Sequence, residues 1–434
     1  MSPKILVILL WVVTTPIWAA PHIEHWLTAN GARVYFIPAE ELPMVDVRVV
    51  FDAGAARDEN KLGLAQLSSA LLPEGAGNLS ADAIADRFDS LGAQFGTDSA
   101  RDMAVVSLRS LTKPEVLLPA LETTALILAK PTMPEEAFER VRKQMESALQ
   151  QQQQSPSSLA SRAFYHLLYG DYPYAHLPLG TLEGLARLTR DDALAFHQRY
   201  YVASNAVVAI VGALDRGQAE ELAEKVIGGL PAGESASALS PVPEIKNSEK
   251  QAITYPSTQT TIILGTLGIR RADPDYFPLY VGNHILGGNG LVSRISVELR
   301  EKRGLTYSAY SYFVPMRHYG PYVLALQTRN EQAEEALKVL RETLKDFIAT
   351  GPSEKELQLA KESIIGGFPL QIDSNSKKVQ HLAMIGFYNL PLDYLEKFSS
   401  QVKAVTTAQI RAAFRRRVHL DKMITVMVGG TVKG

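Results

Sequence analysis

Two side chains able to polarise a carbonyl stand seven residues apart, Arg300 and Tyr307, within the stretch Leu299 to Tyr307, LREKRGLTY. A guanidinium and a phenol hydroxyl aimed at one point would donate hydrogen bonds to a carbonyl oxygen as it gains negative charge. That is the task of an oxyanion hole. The spacing alone leaves a second reading open, with Arg300 in a surface ion pair with Glu298 or Glu301 and Tyr307 in a core.

The elements that must hold the pair can be read around it. Leu291, Ile295 and Leu299 recur four residues apart, the pattern of a helix with one face on a core. Gly304 ends that helix, and Thr306 to Phe313, rich in β-formers, reads as a strand with Tyr307 at its start. Upstream, Gly287-Gly288-Asn289-Gly290 lacks the preceding strand and following Lys-Ser/Thr of a phosphate cradle, and reads as a turn admitting close backbone approach.

Composition narrows the function classes. The 434 residues are 46% hydrophobic and 21% charged, a soluble globular pattern with length for two or more domains. A net charge of −2, with no basic patch among aromatics, points away from nucleic acid and anionic membranes. The absence of cysteine excludes disulfides, thiolate zinc sites and cysteine nucleophiles. No Gly-x-Ser-x-Gly elbow, phosphate loop or dinucleotide fingerprint is present. Lys4, the apolar run Ile5 to Val13 and the small residues Ala19-Ala20 read as a signal peptide, residues 1–20, whose apolar run is too short to span a bilayer comfortably; an uncleaved anchor is the alternative. Export to a bacterial periplasm is the expectation, with no membrane span after cleavage.

The chain repeats itself. Pro134 matches Pro352, Phe196 matches Phe414 and Gly212 matches Gly429, at offsets of 218, 218 and 217 residues. So constant an offset indicates an internal duplication, with a period far too long for a solenoid. Pro231 to Asn247, rich in Pro, Ser and Ala, is the linker. The expected fold is α+β: two duplicated domains, residues 21–230 and 248–434, each a mostly antiparallel sheet with helices packed on one face.

These halves, the turn Leu286 to Gly290, the LREKRGLTY segment and Tyr169-Gly170-Asp171-Tyr172-Pro173-Tyr174 resemble the insulinase/pitrilysin-like metallopeptidases, the inverted zincins. The resemblance implies that Arg300 and Tyr307 bind the substrate carbonyl beside a metal. It also implies a zinc helix, His-x-x-Glu-His, in the first half, with a further glutamate about 76 residues on. The matching stretch here is Gly63 to Leu71: Gln66 and Ala70 stand where the histidines belong and Ser69 where the glutamate belongs. The remote glutamate falls near Glu146 or Ser147. The tight group His22-Ile23-Glu24-His25 would not share one face of a strand and is no ligand set; His166 and His176 flank the tyrosine-rich segment without a third ligand.

The resemblance therefore implies a chain without its own metal or cofactor, paired with a zinc-bearing sister subunit and acting on peptide. A structural or peptide-holding scaffold, and a self-sufficient peptidase with another metal site, are the alternatives.

Overall fold

A computed structural model describes residues 22–430. The expected leader lies outside the described residues. The strands are β1 Glu24–Leu27, β2 Arg33–Pro38, β3 Met44–Phe51, β4 Gly75–Ala76, β5 Leu79–Ser80, β6 Gln94–Ser99, β7 Ala104–Leu111, β8 Ala206–Gly212, β9 Glu249–Thr254, β10 Ser257–Leu267, β11 Ala309–Phe313, β12 Pro321–Arg329 and β13 Ile424–Gly430. They form a six-stranded sheet ordered β1-β2-β8-β3-β7-β6, a five-stranded sheet ordered β11-β12-β10-β13-β9, and the small hairpin β4-β5. Among the described strands only the pairs β2–β8 and β9–β13 run parallel. The chain has the α+β class and the two similar sheets that the repeat predicted.

The expectation of helices on one face of each sheet is incomplete. Strand β8, AVVAIVG, is buried along its whole length, so it needs cover on both sides. Its Ala206, Val208 and Ile210 meet helices of the same half, among them Leu64–Leu71 and Pro114–Ala129. Its Val207, Ala209 and Val211 instead share a core with Val379, Leu382 and Ala383 of helix Asn375–Phe387, which belongs to the second half. The exchange is reciprocal. Helix Pro156–Tyr169 of the first half lays Ala160, Phe164 and Leu168 on Ile263, Val323 and Val426 of the second sheet.

Glycine makes both crossings possible. A Cβ on Gly265 would stand 2.6 Å from the Phe164 ring, and one on Gly386 would stand 2.6 Å from both Tyr35 and Val207. Each half thus closes the other's core.

A buried carboxylate ties the same junction. Asp102, 5% exposed, accepts from the Tyr174 hydroxyl of the first half, the Tyr388 hydroxyl (3.0 Å) and the Arg317 backbone N–H (2.8 Å) of the second. The tyrosine-rich segment singled out in the sequence is the first half's contribution. Burial and the Asp102 charge push the Tyr174 and Tyr388 phenols far up, so both stay protonated donors. Beside them Arg57 grips Asp52 with two hydrogen bonds, 2.7 and 2.8 Å, and reaches the carbonyl of Ser237 in the linker at 2.7 Å. Residues 231–247 carry no regular structure, yet Leu239, Val242 and Ile245 pack onto the junction.

Candidate functional site

The pair is displayed by a short chain of local causes. Ser293 caps a new helical turn, its hydroxyl accepting from the Ser296 N–H, so Leu291 precedes the helix and is 55% exposed. The four-residue spacing predicts Leu291 on the core face, but only Ile295 and Leu299 are buried there. Residues Val297–Glu301 are π-helical, as are His284–Gly288, and wide turns of this kind recur at functional sites. The glycine-rich stretch is therefore helical up to Gly288 rather than a turn. Its close approach is real: a Cβ on Gly287 would stand 2.3 Å from Ser311 Oγ.

Gly304, with φ of +61°, ends the π-helical turn; its N–H donates to the Arg300 carbonyl at 3.0 Å and that of Leu305 to the Leu299 carbonyl at 2.8 Å. An L-residue is strained in that conformation, so Gly304→Ala should lower stability by about 1 kcal/mol in urea unfolding. An unchanged midpoint would mean the segment can end another way.

The strand begins at Ala309, not Thr306. Leu305 is buried, and Thr306 turns its hydroxyl onto the carbonyls of Ser308 (2.8 Å) and Gln327 (2.6 Å). Held on both sides, the intervening Tyr307 is pushed outward and is 82% exposed. Arg300 lies over its ring, Cζ 4.8 Å from the centroid. The core reading of Tyr307 is excluded. The ion-pair reading of Arg300 fails too, because Glu298 is taken by Lys302 and Arg303, each at 2.6 Å, and these hold its carboxyl below the usual range. Among the described residues Arg300 has no carboxylate within ion-pair distance.

Arg294 anchors the base of the segment by a two-pronged pair with Glu356, 2.6 and 2.7 Å. Hydrogen bonds, foremost from Arg294 and then from Ser353, pull that carboxyl from 4.5 down to about 2 against the effect of burial. Folding lowers this pKa, so the stabilisation is complete above pH 4.5 and is lost as pH falls from there towards about 2. Both partners are partly solvated, which limits the pair to about 1 kcal/mol. Glu356→Gln should lower the pH 7 unfolding midpoint and flatten the acid limb between those values; an unaltered acid limb would deny the pair this role.

The other candidate residues lie on helix Leu64–Leu71. Gly63 enters it at φ of +97° without a side-chain cap, and buried Asp58 caps it from a distance, accepting from the Gly63 and Ala65 N–H groups at 2.8 and 2.7 Å. His176 lies 3.2 Å from the same carboxylate. Burial raises the Asp58 pKa, against the opposing pull of His176. Ser69, 1% exposed, donates to the Asp98 carbonyl at 3.1 Å; Gln66 and Ala70 are half-buried.

Glu146 lies on helix Glu135–Gln153 with Arg142 at 3.9 Å. His25 is spent on the Val34 carbonyl (2.7 Å) and Glu24 on Arg216 (2.9 Å). Among the described residues no three His, Asp or Glu side chains converge on one point. An amide, a hydroxyl and a methyl on the helix do not fit a zinc ion.

The sequence model of the insulinase family, peptidase family M16, matches residues 33–181, and that of the peptidase M16 inactive domain matches residues 187–364. A solved peptidase M16 inactive domain from Pseudomonas fluorescens superposes with a TM-score of 0.91 at 42% identity, over 94% of this chain and 98% of that one. The chain belongs to the M16 family. A relative by sequence, the non-peptidase homolog YmxG of Helicobacter pylori, is 25% identical over 93% of this chain and 94% of its own length. The periplasmic protease PqqL of Escherichia coli shares the fold at a TM-score of 0.80 and 16% identity, with 99% of this chain and 49% of that one covered. Within the M16 family, then, this chain is an inactive-type homologue that keeps the fold and lacks the metal helix residues.

Two site features escaped the sequence reading. Asp102 carried no signal as an isolated acid in a loop. The pairing of His176 with Asp58 joins residues far apart in the chain, which spacing cannot reveal.

Proposed function

We propose that this chain is the zinc-less subunit of a paired periplasmic peptidase and supplies Arg300 and Tyr307 to the active site of a zinc-bearing sister subunit. Peptide lies extended in the chamber between the two, adding a strand to a sheet edge. The metal and the attacking water belong to the partner. The guanidinium and phenol of this chain donate hydrogen bonds to the scissile carbonyl oxygen as it becomes an oxyanion. One observation carries the reading: a π-helical turn, a glycine cap and two bonded neighbours hold Tyr307 out in solvent under an Arg300 that has no carboxylate within ion-pair distance among the described residues. A scaffold would gain nothing from that arrangement.

The test is co-expression with a zinc-bearing M16 subunit from the same genome, followed by metal analysis and a peptide-cleavage assay. Co-purification, zinc only in the sister subunit and cleavage by the pair are expected. Stoichiometric zinc and cleavage in the lone chain would overturn the reading, and a chain that pairs with nothing and adds no activity would leave the scaffold role.

A further inference from the structure

Beyond Arg300 and Tyr307, the same edge of the second sheet carries aromatic rings that the fold leaves partly exposed. Strand β11 is the last in its sheet, bordered only by β12. Tyr310 and Tyr312 lie opposite Ala325 and Val323 of β12, on the face crossed by the exchanged helix Pro156–Tyr169. That helix seals Val323 and Ala325 but leaves the two tyrosines 45% and 41% exposed. Their rings stack on each other at 5.9 Å. Arg101 lies 3.6 Å over the ring of Tyr165 on that helix and donates from Nε to the Tyr174 carbonyl at 3.2 Å. Tyr310 lies three positions after Tyr307, at most about 11 Å of extended chain.

An exposed aromatic pair on an open sheet edge is a liability for aggregation, and folding does not require it. The two rings sit at i and i+2, the repeat with which an extended peptide presents side chains to one face. Arg300 borders the run at one end and Arg101 lies over Tyr165 on the helix that crosses this face; neither has a carboxylate within ion-pair distance among the described residues, and Arg101 Nη2 is buried with no hydrogen-bond partner. That charge pattern suits a peptide with acidic flanks and disfavours one with basic flanks.

We propose that Tyr310 and Tyr312 form a specificity subsite that takes aromatic side chains from alternate positions of an extended, acid-flanked peptide laid along β11. The inference rests on the peptide-handling reading above, and it extends that reading to residues that contact neither the metal nor the reacting carbonyl.

The test uses the purified chain alone and fluorescein-labelled decapeptides followed by fluorescence anisotropy. One probe carries Phe-Ser-Phe between glutamates, a second Ser-Ser-Ser between glutamates, and a third Phe-Ser-Phe between lysines. The first should bind about tenfold more tightly than either other, the return from two aromatic contacts and two cations. Tyr310→Ser/Tyr312→Ser should bring the first two probes within about twofold, and Tyr310→Phe/Tyr312→Phe should keep the preference, since it keeps the rings.

Equal binding of the first two probes by the wild-type chain would overturn the subsite, as would a preference that survives the double serine variant. If that variant kept the preference and lost the sister subunit, the rings would belong to the subunit contact instead. Binding by the lone chain needs no turnover. A failure of Arg300 in catalysis would therefore sink the functional reading and leave this result standing.

Discussion

Arg300→Ala in the reconstituted pair will lower kcat on the order of a hundred- to a thousandfold and leave assembly intact. Removing one oxyanion donor typically costs about 2.7–4 kcal/mol of barrier, and the donor acts on charge that exists only in the transition state. The loss should therefore fall on kcat more than on KM. Assembly should survive because Arg300 makes no ion pair among the described residues and its closest partner is the exposed ring of Tyr307. Tyr307→Phe should lose activity in the same sense and keep its place under the guanidinium, since the ring that Arg300 covers remains. Gel filtration of the mixed subunits reports assembly, and peptide turnover under saturating substrate reports kcat. Full turnover by both variants would reduce the pair to surface decoration.

Asp102→Ala will be the most destabilising single change at the junction, by about 3–5 kcal/mol in urea unfolding. It leaves the buried Tyr174 hydroxyl, the Tyr388 hydroxyl and the Arg317 N–H without their acceptor. These donors come from both halves, so the variant should also uncouple them. The native chain should unfold in one calorimetric transition, and the variant's trace should broaden or split, the sign that two-state behaviour has broken down. Asp102→Asn retains an acceptor oxygen and should lose less. If the alanine variant unfolds at the native midpoint in a single transition, the halves are held by the exchanged helices alone.

The fold was legible where local pattern sufficed. The offset between Phe196 and Phe414 predicted two like halves, and the two strands that close each repeat, β8 and β13, occupy matching places in the two sheets. What escaped was long-range. The fully apolar run of β8 signalled burial on both faces, but nothing local says that the second cover is a helix more than 160 residues downstream. Gly265 and Gly386 are the only local marks of the crossings, and a glycine in a strand or helix has many other causes.

At the site, residue types showed that Gln66, Ser69 and Ala70 offer neither the imidazoles nor the carboxylate of a zinc helix. They also put Arg300 near Tyr307. They could not distinguish an α-turn from the π-helical turn Val297–Glu301, nor place the strand start at Ala309, because the Thr306 hydroxyl bonds that decide it reach across to β12.

Supply of catalytic groups in trans is tested most directly by the peptide turnover of a fixed amount of zinc-bearing subunit as this chain is titrated in, native against the Arg300→Ala/Tyr307→Phe double variant. The native chain should raise turnover to a plateau at equal stoichiometry, and the double variant should bind to the same plateau while restoring almost none of it. A zinc-bearing subunit already fully active alone, or a double variant that restores full turnover, would contradict the account.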